Sequence, residues 1–166
     1  IIYNYVHGRD IYSLPKGKKI IDFSANINPL GLPKGVKNAL KAAIKICADY
    51  PDPFCFKLTE KLAKYHNLEQ KDIFLSNGAA DVLFKLALAI KPGNAILLAP
   101  TFADYEKALS TVNCKINYFN LIEDNEFCVD ASILAQINND TDLVIICNPN
   151  NPTGQLTEET LLLKIL

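Results

Sequence analysis

Residues 143–154 read Leu-Val-Ile-Ile-Cys-Asn-Pro-Asn-Asn-Pro-Thr-Gly, an apolar run that passes directly into a loop of asparagine and proline. The short apolar run is typical of a strand that is buried on both faces of a parallel sheet. The two Asn-Pro pairs and the final glycine predict a stiff loop, because proline fixes its own φ and restricts the residue before it. We therefore expect a buried strand that presents amide side chains at its carboxyl end.

The segments before residue 143 alternate between strand and helix patterns. Short apolar runs predict strands at 20–24, 73–76, 95–98, 115–119 and 143–147. Apolar residues at helical spacing predict helices over 33–47, 58–65, 82–90, 105–112 and 132–137, and a capping pattern at 157–159 predicts the start of another. This alternation indicates an α/β fold, in which a mostly parallel sheet is covered by helices on both faces as a three-layer sandwich.

The composition is that of a globular protein, and it narrows the classes of function. The 166 residues are 49% hydrophobic, and 17 basic residues nearly balance 18 acidic ones. A binder of nucleic acid or of an anionic membrane needs a basic excess, so we expect neither partner. No apolar run approaches the ~18 residues of a membrane span. We expect a cytoplasmic protein.

The cysteines suggest neither a metal site nor a disulfide framework. The chain contains five of them, and no two form a Cys-x-x-Cys pair. With only two histidines besides, this spacing gives no zinc pattern, and an odd number of cysteines does not suit a secreted disulfide framework. We therefore expect reduced, mostly buried thiols and no bound metal.

Three polar loops follow predicted strands, where open α/β sheets bind their ligands. Residues 76–81, Ser-Asn-Gly-Ala-Ala-Asp, open a helix and suit either a phosphate site or an ordinary turn. In the loop at 100–104, Phe102 either stacks on a planar ligand or packs against its own domain. The loop at 148–154 is the most specific of the three, because an ordinary connection rarely needs so much backbone constraint.

The third loop also carries a resemblance to a known family. Asn151-Pro152-Thr153-Gly154 resembles the asparagine-proline loop of fold type I pyridoxal-phosphate enzymes, the class I and II aminotransferase family, and residues 76–80 and 100–102 fall in that family's order and spacing. Asp49-Tyr50-Pro51-Asp52 resembles the histidinol-phosphate aminotransferase branch. His7-Gly8, followed by residues 22–31 (Asp-Phe-Ser-Ala-Asn-Ile-Asn-Pro-Leu-Gly), resembles the threonine-phosphate decarboxylase branch of cobalamin biosynthesis. The similarity extends over essentially the whole chain.

The resemblance implies a large domain like that of aspartate aminotransferase, with pyridoxal 5'-phosphate as its cofactor. It implies an N-terminal arm and lead-in to a small domain at residues 1–35, and the first part of the large cofactor-binding domain at residues 36–166. The implied contacts with the cofactor run from its phosphate to its ring. Backbone N–H groups after Gly78, those of Ala79 and Ala80, would hold the phosphate, Phe102 would stack on the ring, and Asn151 would bond the phenolic oxygen.

The resemblance further implies partners for this chain. Tyr50 would reach the cofactor phosphate of a neighbouring subunit, which implies a homodimer. His7 and Asn26 would approach a phosphorylated amino-acid substrate.

Three functions remain open at this stage. Residues 24–31 favour a decarboxylase that converts O-phospho-L-threonine to aminopropanol phosphate. The alternative within the family is a histidinol-phosphate aminotransferase or another class I/II aminotransferase. A non-catalytic α/β module that binds a nucleotide or a phosphate is the third possibility, and it requires the three loops to be a coincidence.

The catalytic residues that the family implies lie beyond these 166 residues. The Schiff-base lysine, the acid that pairs with the pyridinium nitrogen and the substrate-binding arginines all come later in the family, and Arg9 is the only arginine here. The sequence has no methionine and stops at Leu166 within an apolar helical stretch, so we expect a piece of a longer protein.

We accordingly expect these 166 residues to be inactive when they are expressed alone. After incubation with pyridoxal phosphate and reduction with borohydride, mass spectrometry should find no single lysine among the 16 that is specifically modified. A stoichiometric adduct at one lysine would contradict this expectation.

Overall fold

The computed structural model describes residues 17, 21 and 23–166 of the chain. The chain divides into two compact units, with the boundary between Phe56 and Lys57. The strand predicted at 20–24 includes positions 20 and 22, which lie outside the described residues, and it stays a prediction.

The first unit contains helix α1 (Lys34–Ala43), which continues into a 3-10 turn at Ile44–Ile46. This confirms the helix that was predicted from residue 33. Just before it, the N–H of Leu30 donates to Asn28 Oδ1 at 3.0 Å, and Gly31 takes a φ of +72° that favours glycine. The polar segment that precedes α1 is therefore a defined turn.

Helix α2 (Phe56–His66) begins at the unit boundary, and the remaining elements belong to the second unit. They are α3 (Gly78–Ile90), β1 (Asn94–Ala99), α4 (Ala103–Ser110), β2 (Lys115–Asn120), β3 (Leu143–Ile145) and α5 (Glu159–Ile165). Short 3-10 helices lie at Gln70–Asp72, Glu123–Asn125 and Ala131–Ala135. The three strands form a parallel sheet in the order β2-β1-β3, which confirms the α/β fold with a parallel sheet.

Strand β1 lies in the middle of this sheet and is buried on both faces. Ile96 and Leu98 on one face join a core cluster that contains Ile133 of the 3-10 helix and Leu161 of α5. On the other face, Leu97 pairs in register with Ile145, which lines a small apolar cavity together with residues of α3 and α4. Helical segments thus cover both faces of the sheet, as the alternating side chains of a doubly buried strand require.

Two predicted elements of the second unit differ in the structure. Residues 73–76 are not a strand: Ile73 is extended, with φ −115° and ψ 123°, but no described residue pairs with this segment. A strand exists only through its ladder of hydrogen bonds, and an apolar pattern does not reveal a missing partner. The helix predicted at 132–137 is a short 3-10 helix at Ala131–Ala135, which Asp130 caps at its start and which ends before the turn at Asn138.

The start of α5 also differs from the prediction. Glu158 occupies the N-cap position without a side-chain hydrogen bond, so the predicted capping pattern does not form. The N–H of Thr157 donates instead to Asn148 Oδ1 at 2.9 Å. The residue expected to cap the helix is therefore used to hold the loop after β3.

The expectation of mostly buried cysteines was wrong. None of the five cysteines, all of which the structure describes, forms a disulfide; Cys47 and Cys55 are exposed, and Cys114, Cys128 and Cys147 are partly buried. Cys147 lies just past the carboxyl end of β3, where the chain already leaves the sheet. Within the part of the chain that the structure describes, no helix has the length and apolarity to cross a bilayer.

Ile133 provides a test of the core, because its side chain is completely buried in a 3-10 helix of only five residues. In the full-length protein, Ile133→Ala should lower the free energy of unfolding by about 3 kcal/mol, since it leaves a cavity against the sheet. Ile122→Ala makes the same chemical change at a side chain that is 56% exposed, and it should cost less than about 1 kcal/mol. If denaturant titrations show that both variants lose the same free energy of unfolding, this assignment of the core is wrong.

Candidate functional site

The loops after β1 and β3 leave the sheet at the same edge. These strands are parallel and adjacent, with Leu97 opposite Ile145, so their carboxyl ends lie side by side. The chain passes from β1 to β2 on one side and then returns to β3 on the other side of β1. Such a reversal of strand order opens a crevice outside the carboxyl ends of the strands, which is where α/β sheets bind ligands.

A buried amide joins these two loops. Asn150 is 4% exposed, and its Nδ2 donates to the carbonyl oxygen of Pro100 at 3.0 Å and to Thr153 Oγ1 at 2.9 Å. Its Oδ1 accepts a hydrogen bond from Thr101 Oγ1 at 2.8 Å. Both amide hydrogens and the carbonyl oxygen are used, so the side chain is fixed in orientation and holds residues 100–101 against residues 150–153.

Backbone hydrogen bonds close the loop around this amide. The N–H of Asn150 donates to the carbonyl oxygen of Gln155 at 2.8 Å, and the N–H of Gly154 donates to that of Asn150 at 2.6 Å. Gly154 has a φ of +75°, which explains the glycine at this position. The Asn148–Pro149 and Asn151–Pro152 peptide bonds are cis. Asn151 lies within the closed turn with an exposed side chain that takes no part in holding it.

Phe102 occupies the N-cap position of α4, directly after the tied residues. Its ring is partly buried and meets the ring of Tyr105 edge to face, with centroids 5.7 Å apart and an interplanar angle of 84°. One side of the Phe102 ring therefore packs against α4 and the remainder is accessible, and its stacking on a planar ligand stays a prediction.

Tyr105, whose ring contacts that of Phe102, is itself partly buried. Burial, together with the neighbouring thiol of Cys147, raises the pKa of the Tyr105 hydroxyl to about 12. This hydroxyl therefore stays protonated at neutral pH, and it adds no negative charge at this edge of the sheet.

The amino end of α3 supplies exposed backbone donors. Gly78 has a φ of +82°, and a Cβ there would meet nothing within 4 Å, so the backbone conformation, and not crowding, selects glycine. Ala79 is exposed and Ala80 is partly buried. The first N–H groups of a helix have no carbonyl partner within it and carry the positive end of its dipole. Methyl side chains leave these donors accessible to an anion.

Charged side chains brace the turn before α3. Asp81 Oδ2 accepts from the backbone N–H of Asn77 at 3.2 Å and from the Ser76 hydroxyl. Lys85 Nζ lies 2.8 Å from Asp81 Oδ2 and 2.8 Å from Ser76 Oγ. The hydrogen bond from Lys85 is the largest cause that lowers the pKa of Asp81 to about 2, so this carboxylate is ionised at neutral pH.

The remaining residues proposed from the sequence lie outside the second unit. Tyr50 is fully exposed and Asn26 is exposed, and both belong to the first unit. His7 lies outside the described residues. Their roles stay predictions. In the second unit, Phe102 and Asn151 flank the tie made by Asn150, while Gly78, Ala79 and Ala80 share the amino end of α3.

The sequence did not identify the structural roles of three residues, Asn150, Asp81 and Lys85. Asn150 stands beside Asn151 in the same motif, and the sequence does not show which of the two amides is buried. Asp81 and Lys85 are spaced i,i+4 on a predicted helix, which is a recognisable signal for an ion pair. Applied to α3, that signal would have found the pair.

The chain is similar in sequence to curated proteins. The chain is 36% identical to threonine-phosphate decarboxylase of Salmonella typhimurium over 97% of this chain and 46% of that protein. It is 31% identical to histidinol-phosphate aminotransferase of Bacillus cytotoxicus over 98% of this chain and 45% of that protein. The chain therefore spans about half the length of the curated relatives that it matches.

Solved structures show the same fold. The histidinol-phosphate aminotransferase from Clostridium acetobutylicum superimposes with a TM-score of 0.73 at 32% identity, covering 88% of this chain and 42% of that one. L-threonine-O-3-phosphate decarboxylase from Porphyromonas gingivalis superimposes with a TM-score of 0.69 at 24% identity, over 81% and 41% of the two chains, which supports the fold alone.

The model of one family, described as aminotransferase class I and II, matches residues 18–166. This match includes the parallel sheet, the loops at its carboxyl edge and the amino end of α3. The chain therefore belongs to the class I and II aminotransferase family.

Proposed function

We propose that the full-length protein containing this chain is a cytoplasmic pyridoxal-phosphate enzyme that decarboxylates O-phospho-L-threonine to aminopropanol phosphate. The observation that carries the proposal is the tie between Asn150 and residues 100–101, because it holds an accessible aromatic ring and an accessible amide at one crevice. Family membership supports pyridoxal phosphate as the ligand, and the 36% identity to a threonine-phosphate decarboxylase supports the substrate.

The side chains at this edge and the backbone at the amino end of α3 suit that cofactor. Pyridoxal phosphate needs a flat apolar contact for its ring, a hydrogen-bond donor for its phenolic oxygen and anion donors for its phosphate. Phe102 supplies a partly accessible ring, Asn151 supplies an exposed amide, and the backbone after Gly78 supplies helix N-terminal N–H groups. Tyr105 remains neutral and does not repel the anion.

When bound, pyridoxal phosphate supplies an electron sink for the electron pair released when a bond at the substrate Cα breaks. The residues of this chain would bind and orient that group. Phe102 would cover one face of the ring and exclude water from it, and the Asn151 amide would donate to the phenolic oxygen. The backbone of Ala79 and Ala80 would fix the phosphate and so prevent rotation of the ring.

Several parts of the proposal rest on the sequence resemblance. Tyr50 would bind the cofactor phosphate of a second subunit in a homodimer, and His7 and Asn26 would contact the phosphorylated substrate. The division into an arm at residues 1–35 and a large domain from residue 36 belongs to the same proposal. The lysine that carries the cofactor would come from chain beyond these 166 residues, so this chain would contribute binding groups and no catalytic residue.

An aminotransferase is the second candidate. Relatives named histidinol-phosphate aminotransferase match at 31% and 34% identity over 98% and 95% of this chain. The two reactions differ in the bond at Cα that is held perpendicular to the cofactor ring: a decarboxylase aligns the carboxylate, and a transaminase aligns the hydrogen. The residues that choose between these bonds bind the substrate carboxylate.

Substitutions of the two adjacent asparagines should separate a structural role from cofactor binding. In the full-length protein, Asn151→Ala should leave the stability of the apoprotein within about 0.5 kcal/mol, because the side chain is exposed and unused by the loop. It should weaken pyridoxal phosphate binding about fivefold, the effect of one lost hydrogen bond. Asn150→Ala should lower both the stability of the apoprotein and its affinity for pyridoxal phosphate. The stability loss should be about 1–3 kcal/mol, because the groups that Asn150 bonds are left without their partner.

Asn139→Ala is the matched control, since Asn139 is exposed in the connection before β3, away from the carboxyl ends of the strands. It should change neither the unfolding midpoint in denaturant nor the dissociation constant from fluorescence titration. If Asn151→Ala binds the cofactor as tightly as the Asn139 variant, the role given to Asn151 is wrong.

Product analysis should separate the two reactions. We expect the full-length enzyme, supplied with pyridoxal phosphate and O-phospho-L-threonine, to release carbon dioxide and aminopropanol phosphate without an α-keto acid. Turnover that requires 2-oxoglutarate, or that occurs only with histidinol phosphate, would replace the decarboxylase proposal with the aminotransferase.

A further inference from the structure

Helix α3 carries an acid at the turn that is proposed to hold a phosphate. Asp81 is the fourth residue of the helix, and its carboxylate bonds the Ser76 hydroxyl and the backbone N–H of Asn77 immediately before the helix. An acid in the first helical turn interacts favourably with the positive end of the helix dipole. Its hydrogen bonds also order the turn. The same negative charge opposes a dianionic phosphate at that helix end.

The structure shows how this charge is balanced. Lys85 lies one turn along α3, and its Nζ is 2.8 Å from both Asp81 Oδ2 and Ser76 Oγ. The same Nζ lies 5.7 Å from the ring centroid of Phe74, so the ammonium is positioned from three sides. Asp81 and Lys85 are the only charged residues between Gly78 and Ile90. The ion pair therefore accounts for all the side-chain charge of the helix.

We infer that Lys85 is a positioning residue for the cofactor phosphate, which it serves by neutralising Asp81 without binding the phosphate itself. Asp81 fixes the turn from Ser76 to Gly78, and Lys85 removes the electrostatic cost of having a carboxylate there. The inference deepens the proposed function and rests on it, because it concerns the phosphate of pyridoxal phosphate.

The test uses the full-length apoprotein and measures dissociation constants by fluorescence titration with two probes, pyridoxal phosphate and pyridoxal. Lys85→Gln keeps a long helix-forming side chain but removes the positive charge. Asp81→Asn keeps an oxygen that accepts from Asn77 and Ser76. Lys71→Gln is the control, because it also removes an exposed lysine that pairs with an acid. Lys71 Nζ lies 2.9 Å from Glu69 Oε2.

We expect Lys85→Gln to weaken pyridoxal phosphate binding by about 3- to 10-fold at low salt, since an uncompensated carboxylate then faces the phosphate. The loss should shrink as added salt screens these partly exposed charges. Binding of pyridoxal, which has no phosphate, should be unchanged. The double variant Asp81→Asn/Lys85→Gln should regain the wild-type dissociation constant within about twofold, because it has no charge left to neutralise.

Each other outcome overturns the inference for a stated reason. If the double variant binds as weakly as Lys85→Gln, Lys85 contacts the phosphate directly. If Lys85→Gln weakens the binding of pyridoxal as much as that of pyridoxal phosphate, Lys85 only stabilises the fold. If Lys85→Gln and Lys71→Gln bind pyridoxal phosphate equally well, the charge of Lys85 has no role. If the wild-type protein binds pyridoxal phosphate no more tightly than it binds pyridoxal, the inference is also wrong. A wild-type protein that binds neither probe overturns the proposed function as well.

Discussion

The arrangement of the site depends on one buried amide, that of Asn150. The parallel sheet brings the starts of two loops together, but it does not fix the loops beyond the ends of β1 and β3. The Asn150 side chain does so, because it bonds Pro100 and Thr101 in one loop and Thr153 in its own. In a buried position, each unmade hydrogen bond is costly, so the alternatives to this one arrangement are disfavoured.

The two parts of the site are held by different physical forces. The loops after β1 and β3 are joined by neutral, partly buried hydrogen bonds of the buried Asn150 amide, which salt screens little. The turn before α3 is braced by an ion pair whose side chains are 50% and 34% exposed, and its strength varies with ionic strength. The loops that carry Phe102 and Asn151 are therefore rigid under most conditions, whereas the turn before α3 responds to ionic strength.

Much of this could be predicted from the sequence, because strong patterns depend on local chemistry. The apolar run at 95–98 predicted β1, and the helical spacing of apolar residues predicted α3 and α4. The ends of the predicted strands indicated the loops at 100–104 and 148–154. The failures involve non-local information: the extended segment at 73–76 needs a partner strand, and the choice between Asn150 and Asn151 depends on burial. Capping at Thr157 failed because Glu158, and not Thr157, occupies the N-cap position of α5.

The long sequence separation of the central contacts has a consequence for folding kinetics. Asn150 meets Pro100 and Thr101 across 50 and 49 residues, after two crossovers between parallel strands. Loop-closure entropy must be overcome before such contacts add stability, which makes parallel sheets slow to form. The crevice therefore takes shape only after β1 and β3 have paired, and a partly folded chain with intact helices still lacks it.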